Sequence, residues 1–261
     1  MDFKLNDKRA FVSGSTQGIG YAIAKGLAEE GADVVINGRR QDKVDAAVAK
    51  LKDETGGKVS GVAGDLGTAE GVDKVVAALG DVDILVNNAG IFEPKPVLEI
   101  TDADWQRFFD VNVMSGIRLT RALLPAMLNK GWGRVIFISS ESGQNIPAEM
   151  VHYGVTKTAQ LALTRGFAES FPGSGVTVNA VLPGPTRSEG VVDFLKEMGG
   201  DGDTSAVEAD FIKQGRPTSI IQRFAEPEEV ANMVVYLCSE AASATTGAPV
   251  RVEGGLLRSI V

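Results

Sequence analysis

The 261-residue sequence predicts an α/β fold, a single doubly wound domain with about seven mostly parallel strands and helices on both faces. Three observations carry that expectation. Apolar runs too short for helices and rich in β-branched residues recur at 10–12, 34–36, 59–62, 84–86, 135–138, 176–182 and 250–252. Longer amphipathic stretches separate them, the alternation of βα units. Small or polar residues directly follow the runs: Ser13-Gly14, Gly38-Arg39, Gly64-Asp65, Asn87-Asn88-Ala89-Gly90, Ser139-Ser140 and Pro183-Gly184. Turns favour such residues, but a double Asn, a double Ser and a Gly-rich loop at one sheet edge mark the side where open α/β sheets bind ligands.

Composition excludes several classes. With 44% hydrophobic and 23% charged residues the chain is ordinary globular material rather than disordered. A net charge of −8, with no run of Lys or Arg, argues against nucleic acid or an anionic membrane as partner. No apolar run approaches a membrane span and the start lacks a signal-peptide core, so a cytoplasmic location is expected. A single cysteine, Cys238, excludes an intramolecular disulfide and reads as a small buried hydrophobe. A single histidine, His152, makes a zinc site improbable, and its place beside Tyr153 makes it structural or substrate-facing.

The first run leads into the loop GSTQGIG at 14–20 and a helix expected over about 18–30. Glycine there lets the backbone approach a pyrophosphate, which the free N–H groups and dipole of the helix start then favour. Gly14, Ser15, Gln17, Gly18, Ile19 and Gly20 are therefore candidates for holding a dinucleotide, and the domain reads as Rossmann-type. At the end of the second run, Asn37-Gly38-Arg39-Arg40 has no carboxylate for an adenosine ribose. Arg39 presents a planar cation suited to a 2′-phosphate, which favours NADP(H). Gln17 is not basic, so NAD stands as the alternative.

Asp65 follows the third run and suits either the adenine amino group or a helix cap before Thr68. Asn87 and Asn88 at a buried strand end brace backbone or line a pocket. A long helix is expected over 101–129, with Asn112 in its middle, where Asn is a poor choice unless it holds water or bends the helix. Ser140 ends the 135–138 run, and a helix from Glu149 onward would place Tyr153 and Lys157 on one face. A phenol beside a cation is an acid or base whose pKa, about 10 when free, can be drawn toward neutrality. Tyr-x₃-Lys is weak evidence alone, because Tyr21 and Lys25 also satisfy it. No strand-end serine precedes that second pair, which makes it the decoy.

After Pro183 and Gly184 the segment 186–222, with glycines at 199, 200 and 202, reads as a substrate loop. Phe194, Met198, Phe211 and Ile212 are candidates for an apolar pocket, with Glu93, Gln144, Asn145 and Glu149 as polar neighbours. Glu226-Pro227-Glu228-Glu229 opens another helix.

The Gly-rich loop, Asn87-Asn88-Ala89-Gly90, Asn112, Ser140, Tyr153-x₃-Lys157 and Pro183-Gly184 resemble, in order and spacing, the short-chain dehydrogenase/reductase family over essentially the whole length. The resemblance implies a catalytic tetrad of Asn112, Ser140, Tyr153 and Lys157. It also implies cofactor contacts at Gly14, Ile19, Asp65, Leu66, Asn87, Asn88, Ala89, Gly90, Tyr153, Lys157, Pro183, Gly184 and Thr186. Ser139 is the neighbouring candidate for the serine role. The implied chemistry is hydride transfer between nicotinamide C4 and the carbonyl or alcohol carbon of a small molecule. Tyr153 would exchange the oxygen's proton, Lys157 would depress the phenol pKa and bind ribose, Ser140 would hold the substrate oxygen, and Asn112 would hold a relay water. A homotetramer is the expected assembly. Three departures stand out: Ser13 in place of Thr, Glu253 in place of Asp, and a short 65–87 span that predicts a trimmed helix. A nucleotide-sensing protein without catalysis and a methyltransferase on a similar sheet are the competing classes.

Overall fold

The computed structural model describes residues 3–191 and 204–260. Seven strands form one sheet: β1 (Arg9–Val12), β2 (Asp33–Gly38), β3 (Val59–Ala63), β4 (Ile84–Asn87), β5 (Gly133–Ile138), β6 (Val176–Pro183) and β7 (Pro249–Val252). They are ordered β3-β2-β1-β4-β5-β6-β7. Every neighbouring pair is parallel. The chain winds outward from β1 to one edge, then returns to β4 and winds to the other, so the β1/β4 boundary is the switch point above which such sheets open a ligand crevice.

Among the described residues the helices are α1 (Gly18–Glu29), α2 (Gln41–Thr55), α3 (Ala69–Leu79), α4 (Asp102–Phe109), α5 (Ser115–Lys130), α6 (Val151–Ser170), α7 (Thr204–Gly215) and α8 (Pro227–Cys238). Side-chain alternation along the strands sorts them into two layers. On β5, Ile136 and Ile138 point into the core shared with α1, α2 and α8, whereas Val135 and Phe137 point into the core shared with α3 and α5. Leu161 and Phe167 of α6 pack against the second core. Cys238 lies in the first, fully buried, and burial pushes its thiol up to about 12.

Local signals start the helices where expected. Thr101 and Asp104 form a reciprocal capping box at α4, and Glu226 and Glu229 form another at α8, with Pro227 in its first turn. The trimmed helix is α3, of 11 residues, capped by Thr68. Asp65 does not cap it; its carboxylate accepts from the Gly67 N–H at 3.0 Å in the preceding turn.

The helix expected over 101–129 is not regular. Between α4 and α5 the residues Asp110–Met114 form a π turn, and Asn112 sits inside it. Its carbonyl accepts from Gln160 Nε2 of α6 at 2.6 Å, so the widened turn is held from the neighbouring helix. The segment from Glu149 begins with a short 3₁₀ turn, Ala148–Met150, before α6. Phe194, Met198 and the glycines at 199, 200 and 202 lie outside the described residues. Among those described, no helix is long and apolar enough to cross a membrane.

Candidate active site

The loop after β1 is built for close approach. Gly14 has φ +59°, and a Cβ there would stand 2.9 Å from the Ala89 Cα. A Cβ on Gly20 would meet Asn88 Nδ2 at 2.5 Å and the Gly14 carbonyl at 2.6 Å. No side chain caps α1 and no acidic residue occupies its first turn. The N–H groups of Gly18, Ile19 and Gly20 therefore face outward at the positive end of the helix, a cradle that fits a dinucleotide pyrophosphate. Ser15 is fully buried, donating to the Val12 carbonyl at 2.6 Å and accepting from the Asn37 N–H at 3.0 Å. Its hydroxyl shapes the loop rather than meeting a ligand.

Asn37 ties three strand ends together. Its Oδ1 accepts from the Gly14 N–H at 3.3 Å, and its Nδ2 donates to the carbonyls of Val62 and Gly64 at 3.1 and 3.3 Å. Beyond it, Arg40 pairs with Asp42 at 2.6 Å, whereas Arg39 makes no ion pair among the described residues. Arg39, Asp65 and Lys74 line a cavity of about 400 Å³ at the end of β2 and β3. Leu66 is buried in the core beneath it.

The segment after β4 is pinned from β1. Ser13 Oγ accepts from the N–H groups of Asn88 and Ala89 at 2.8 and 2.9 Å, and Asn88 Nδ2 donates to the carbonyls of Ser13 and Gly14. Asn87 Nδ2 donates to Thr120 at 3.2 Å. Asn112 continues the bracing: Oδ1 accepts from the Ile91 N–H at 2.8 Å, while Nδ2 donates to the Ile91 carbonyl at 2.9 Å and to Thr156 at 3.0 Å. One lone pair on Oδ1 is all that its side chain has left for a water.

Ser140, Tyr153 and Lys157 converge at the carboxyl end of β5 and share one cavity of about 900 Å³. Ser140 Oγ accepts from the Ser142 N–H at 3.1 Å and lies close enough to the Tyr153 phenol to lower its pKa. Ser139 is turned away, donating to the Lys157 carbonyl at 2.8 Å. Burial pushes the phenol up to about 12, against the lowering effects of the nearby Ser140 hydroxyl and the Arg216 charge. Burial also brings the Lys157 ammonium down to about 7. The depressed phenol expected from the sequence is thus not what the protein alone provides. For the phenol, desolvation outweighs the lowering effects of Ser140 and Arg216, and it holds its proton at neutral pH.

Glu141, next to Ser140, is buried against Arg216, whose Nε donates to its Oε1 at 3.0 Å. Desolvation pushes this carboxyl up, opposed by Arg216. Phe211 lines the cavity, but Ile212 is buried beneath it beside Phe224. Of the polar neighbours expected, Glu149 reaches the cavity; Glu93 pairs instead with Arg107 on the surface, and Gln144 and Asn145 are exposed elsewhere. His152 faces away, its ring 3.9 Å from that of Phe108 and near Trp105, and burial lowers its pKa. It is structural. The decoy Tyr21 donates to Glu54 at 3.1 Å and Lys25 pairs with the same carboxylate, remote from the serine.

Comparison with known proteins agrees with this arrangement. Residues 14–257 match a family model described as Enoyl-(Acyl carrier protein) reductase. The chain is 50% identical over 263 residues to the uncharacterised oxidoreductase YvaG of Bacillus subtilis, covering 100% of both. It is 38% identical over 259 residues to dehydrogenase/reductase SDR family member 4 of Bos taurus, covering 97% of this chain and 88% of the relative. L-Sorbose reductase from Gluconobacter frateurii, solved with NADPH and L-sorbose, superposes with a TM-score of 0.94 at 35% identity over 100% of both chains. The chain belongs to the short-chain dehydrogenase/reductase family. It is accordingly an NAD(P)-dependent oxidoreductase.

In this family member the residues expected from sequence fall into two groups. Ile19, Asn88, Gly90, Ser140, Tyr153, Lys157, Pro183, Gly184 and Thr186 line the large cavity, and Arg39 and Asp65 line the smaller one. Gly14, Ser15, Gln17, Gly18, Gly20, Leu66, Ala89 and Asn112 surround or support them. Thr186 Oγ1 donates to the Gly184 carbonyl at 2.9 Å, fixing the chain as it leaves β6. Sequence reasoning missed Asn37, Lys74 and the Glu141–Arg216 pair. A carboxamide ending a strand, as at Asn37, was the one available signal; Arg216 lies 75 residues from Glu141 and gave none.

Proposed function

We propose that this protein is an NADP(H)-preferring carbonyl reductase or alcohol dehydrogenase acting on a small molecule. The observation that carries the reading is the convergence of Ser140, Tyr153 and Lys157 on one cavity, where burial keeps the Tyr153 phenol protonated. When bound, the nicotinamide cofactor supplies or accepts the hydride. The protein's part is proton transfer and placement. Ser140 and Tyr153 hold the substrate oxygen, and Tyr153 gives its proton as the oxygen becomes an alkoxide. Lys157, donating to the Ile138 carbonyl at 2.9 Å, stabilises the phenolate left behind. Asn112 fixes Ile91 and so one wall of the cavity.

Arg39, which makes no ion pair among the described residues, and the nearby Lys74 support the preference for a 2′-phosphate. The NADPH held by the sorbose reductase is in keeping with it. A homotetramer completes the reading, with Phe109 of α4 and Val155 of α6 exposed for packing between subunits. Parallel titrations with NADPH and NADH, followed by turnover on a panel of aldehydes and ketones, test it. Tighter NADPH binding with NADPH-dependent reduction is the expected result; cofactor binding without any turnover would leave only a sensing role.

A further inference from the structure

Glu141 and Arg216 form an ion pair in the cavity that the roles given to Ser140 and Tyr153 do not use. Both are more than nine-tenths buried, at 3% and 7% exposure. Glu141 Oε1 accepts from Arg216 Nε at 3.0 Å and from Ser142 Oγ at 3.1 Å, but Oε2 has no partner among the described residues. Arg216 Nη1 donates to the Gly215 carbonyl at 2.8 Å and to Glu149 at 3.5 Å. A carboxylate oxygen withdrawn from water without a donor is unfavourable. Maintained beside a substrate cavity, it calls for a donor that arrives with the ligand. Glu141 lines the same cavity as Ser140 and Tyr153, and its charge acts on the Tyr153 phenol, so that donor would sit close to the oxygen on which Tyr153 acts.

Charge narrows the ligand further. Among the described residues, Glu141, Glu149 and Asp210 line the cavity, against Arg216 and Lys157 as its cations. Three carboxyl groups against two cations leave the described lining acidic before any substrate enters. A carboxylate or phosphate on the substrate would meet repulsion. Phe92, Val207, Phe211 and Phe224 contribute an apolar part of the wall.

We infer that Glu141, positioned by Arg216, is a specificity residue that accepts a hydrogen bond from a hydroxyl on the carbon next to the reacting carbonyl. The site then favours neutral hydroxy-carbonyl compounds over carboxylates and over plain ketones. This rests on the reading of Ser140 and Tyr153 as the carbonyl site. The reaction balances as before: hydride from NADPH joins the carbonyl carbon, the Tyr153 proton joins the oxygen, and the neighbouring hydroxyl keeps its own proton. A site built to bond a hydroxyl rejects the analogue lacking it, because its polar group is then left unpaired.

The test compares NADPH-dependent reduction of 1-hydroxybutan-2-one, pentan-3-one and 2-oxobutanoate, which differ only in carrying a hydroxymethyl, an ethyl or a carboxylate group. Two variants accompany the wild type. Glu141→Leu removes the acceptor, and Glu141→Leu with Arg216→Met removes the whole pair, so that no buried charge is left alone. The hydroxy ketone should be the preferred substrate of the wild type. In both variants the ratio of its kcat/KM to that of pentan-3-one should fall roughly 10- to 100-fold, chiefly through KM. Should the single variant not fold, the double variant decides. A ratio within about twofold of wild type in the folded double variant overturns the inference, as does a wild-type preference for 2-oxobutanoate. Those outcomes leave the reductase reading intact. A wild type that binds NADPH but reduces none of the three overturns both.

Discussion

Lys157 stands over the face of the Tyr153 ring, its Nζ 5.5 Å from the centroid, and donates its hydrogen bond to the carbonyl of Ile138. The ammonium is thus held in place by β5 independently of the phenol, close enough to act on it through space. Tyr153 in turn keeps its proton, with a pKa of about 12. Removing only the phenol oxygen leaves this scaffold untouched. Tyr153→Phe should lower kcat for carbonyl reduction by roughly 10²- to 10⁴-fold while NADPH binding stays close to wild type. Unchanged turnover would remove Tyr153 from the chemistry.

The pH profile follows from the Lys157 pKa of about 7. Below it Lys157 is charged and can stabilise the phenolate formed when Tyr153 gives up its proton; above it that help is lost. Carbonyl reduction should therefore fall as pH rises through about 7. In Lys157→Met, activity should be lower throughout and this limb should vanish. A limb of the same midpoint in the variant would assign the titration to another group.

The same group makes a stability prediction. Its folded pKa lies below the unfolded value of 10.5, so between about 7 and 10.5 the unfolded chain binds more protons. Wild-type stability contributed through Lys157 thus rises with pH across that window, and the burial cost is in full force below it. Lys157→Met should unfold at higher urea concentration than wild type near pH 6, by up to about 5 kcal/mol, with the gap closing toward about pH 10. A gap that is independent of pH would show that the ammonium is not desolvated.

Cofactor choice is predicted to turn on Arg39. Arg39→Asp should weaken NADPH relative to NADH by roughly 10- to 100-fold, since it replaces a phosphate-binding fork with a repelling carboxylate. Lys74→Ala should act in the same direction with a smaller effect. Fluorescence titration of both nucleotides against each variant reads the ratio directly.

Gly14 should tolerate no side chain. Gly14→Ala must hold φ near +59° and accommodate a Cβ 2.9 Å from the Ala89 Cα. A loss of roughly 1–3 kcal/mol in stability and weaker binding of both nucleotides are expected. Thermal unfolding and cofactor titration would show it, and wild-type values in both would contradict the loop geometry.

The sheet was legible because each strand is a short β-branched run, and seven such runs between amphipathic stretches leave little choice of fold. The catalytic convergence was legible because Ser140, Tyr153 and Lys157 lie within 18 residues, joined by a strand end and one helix face. Electrostatics were not. The phenol pKa was expected to fall on the strength of one nearby cation, whereas its value depends on how dry the site is, which only packing reveals. Pairings such as Glu141 with Arg216 were equally hidden, because α7 and the end of β5 meet only in three dimensions. The expectations at Glu93 and Asn145 failed for a related reason: closeness in sequence to site residues does not fix which way a loop side chain turns.

The π turn at Asp110–Met114 carries one more residue than an α-helical turn and so shifts the helical phase by about 100°. Residues before it follow one angular register and residues after it another. The two halves of what would be a single rod are thereby rotated independently: α4 turns Phe108 onto His152 at the root of α6, while α5 turns Leu119 and Leu123 onto the sheet. Deleting one residue from the turn would force a common register on both halves and pull one of them off its partner. The turn thus works as a phase joint, letting one helix meet two surfaces whose orientations a regular helix could not satisfy together.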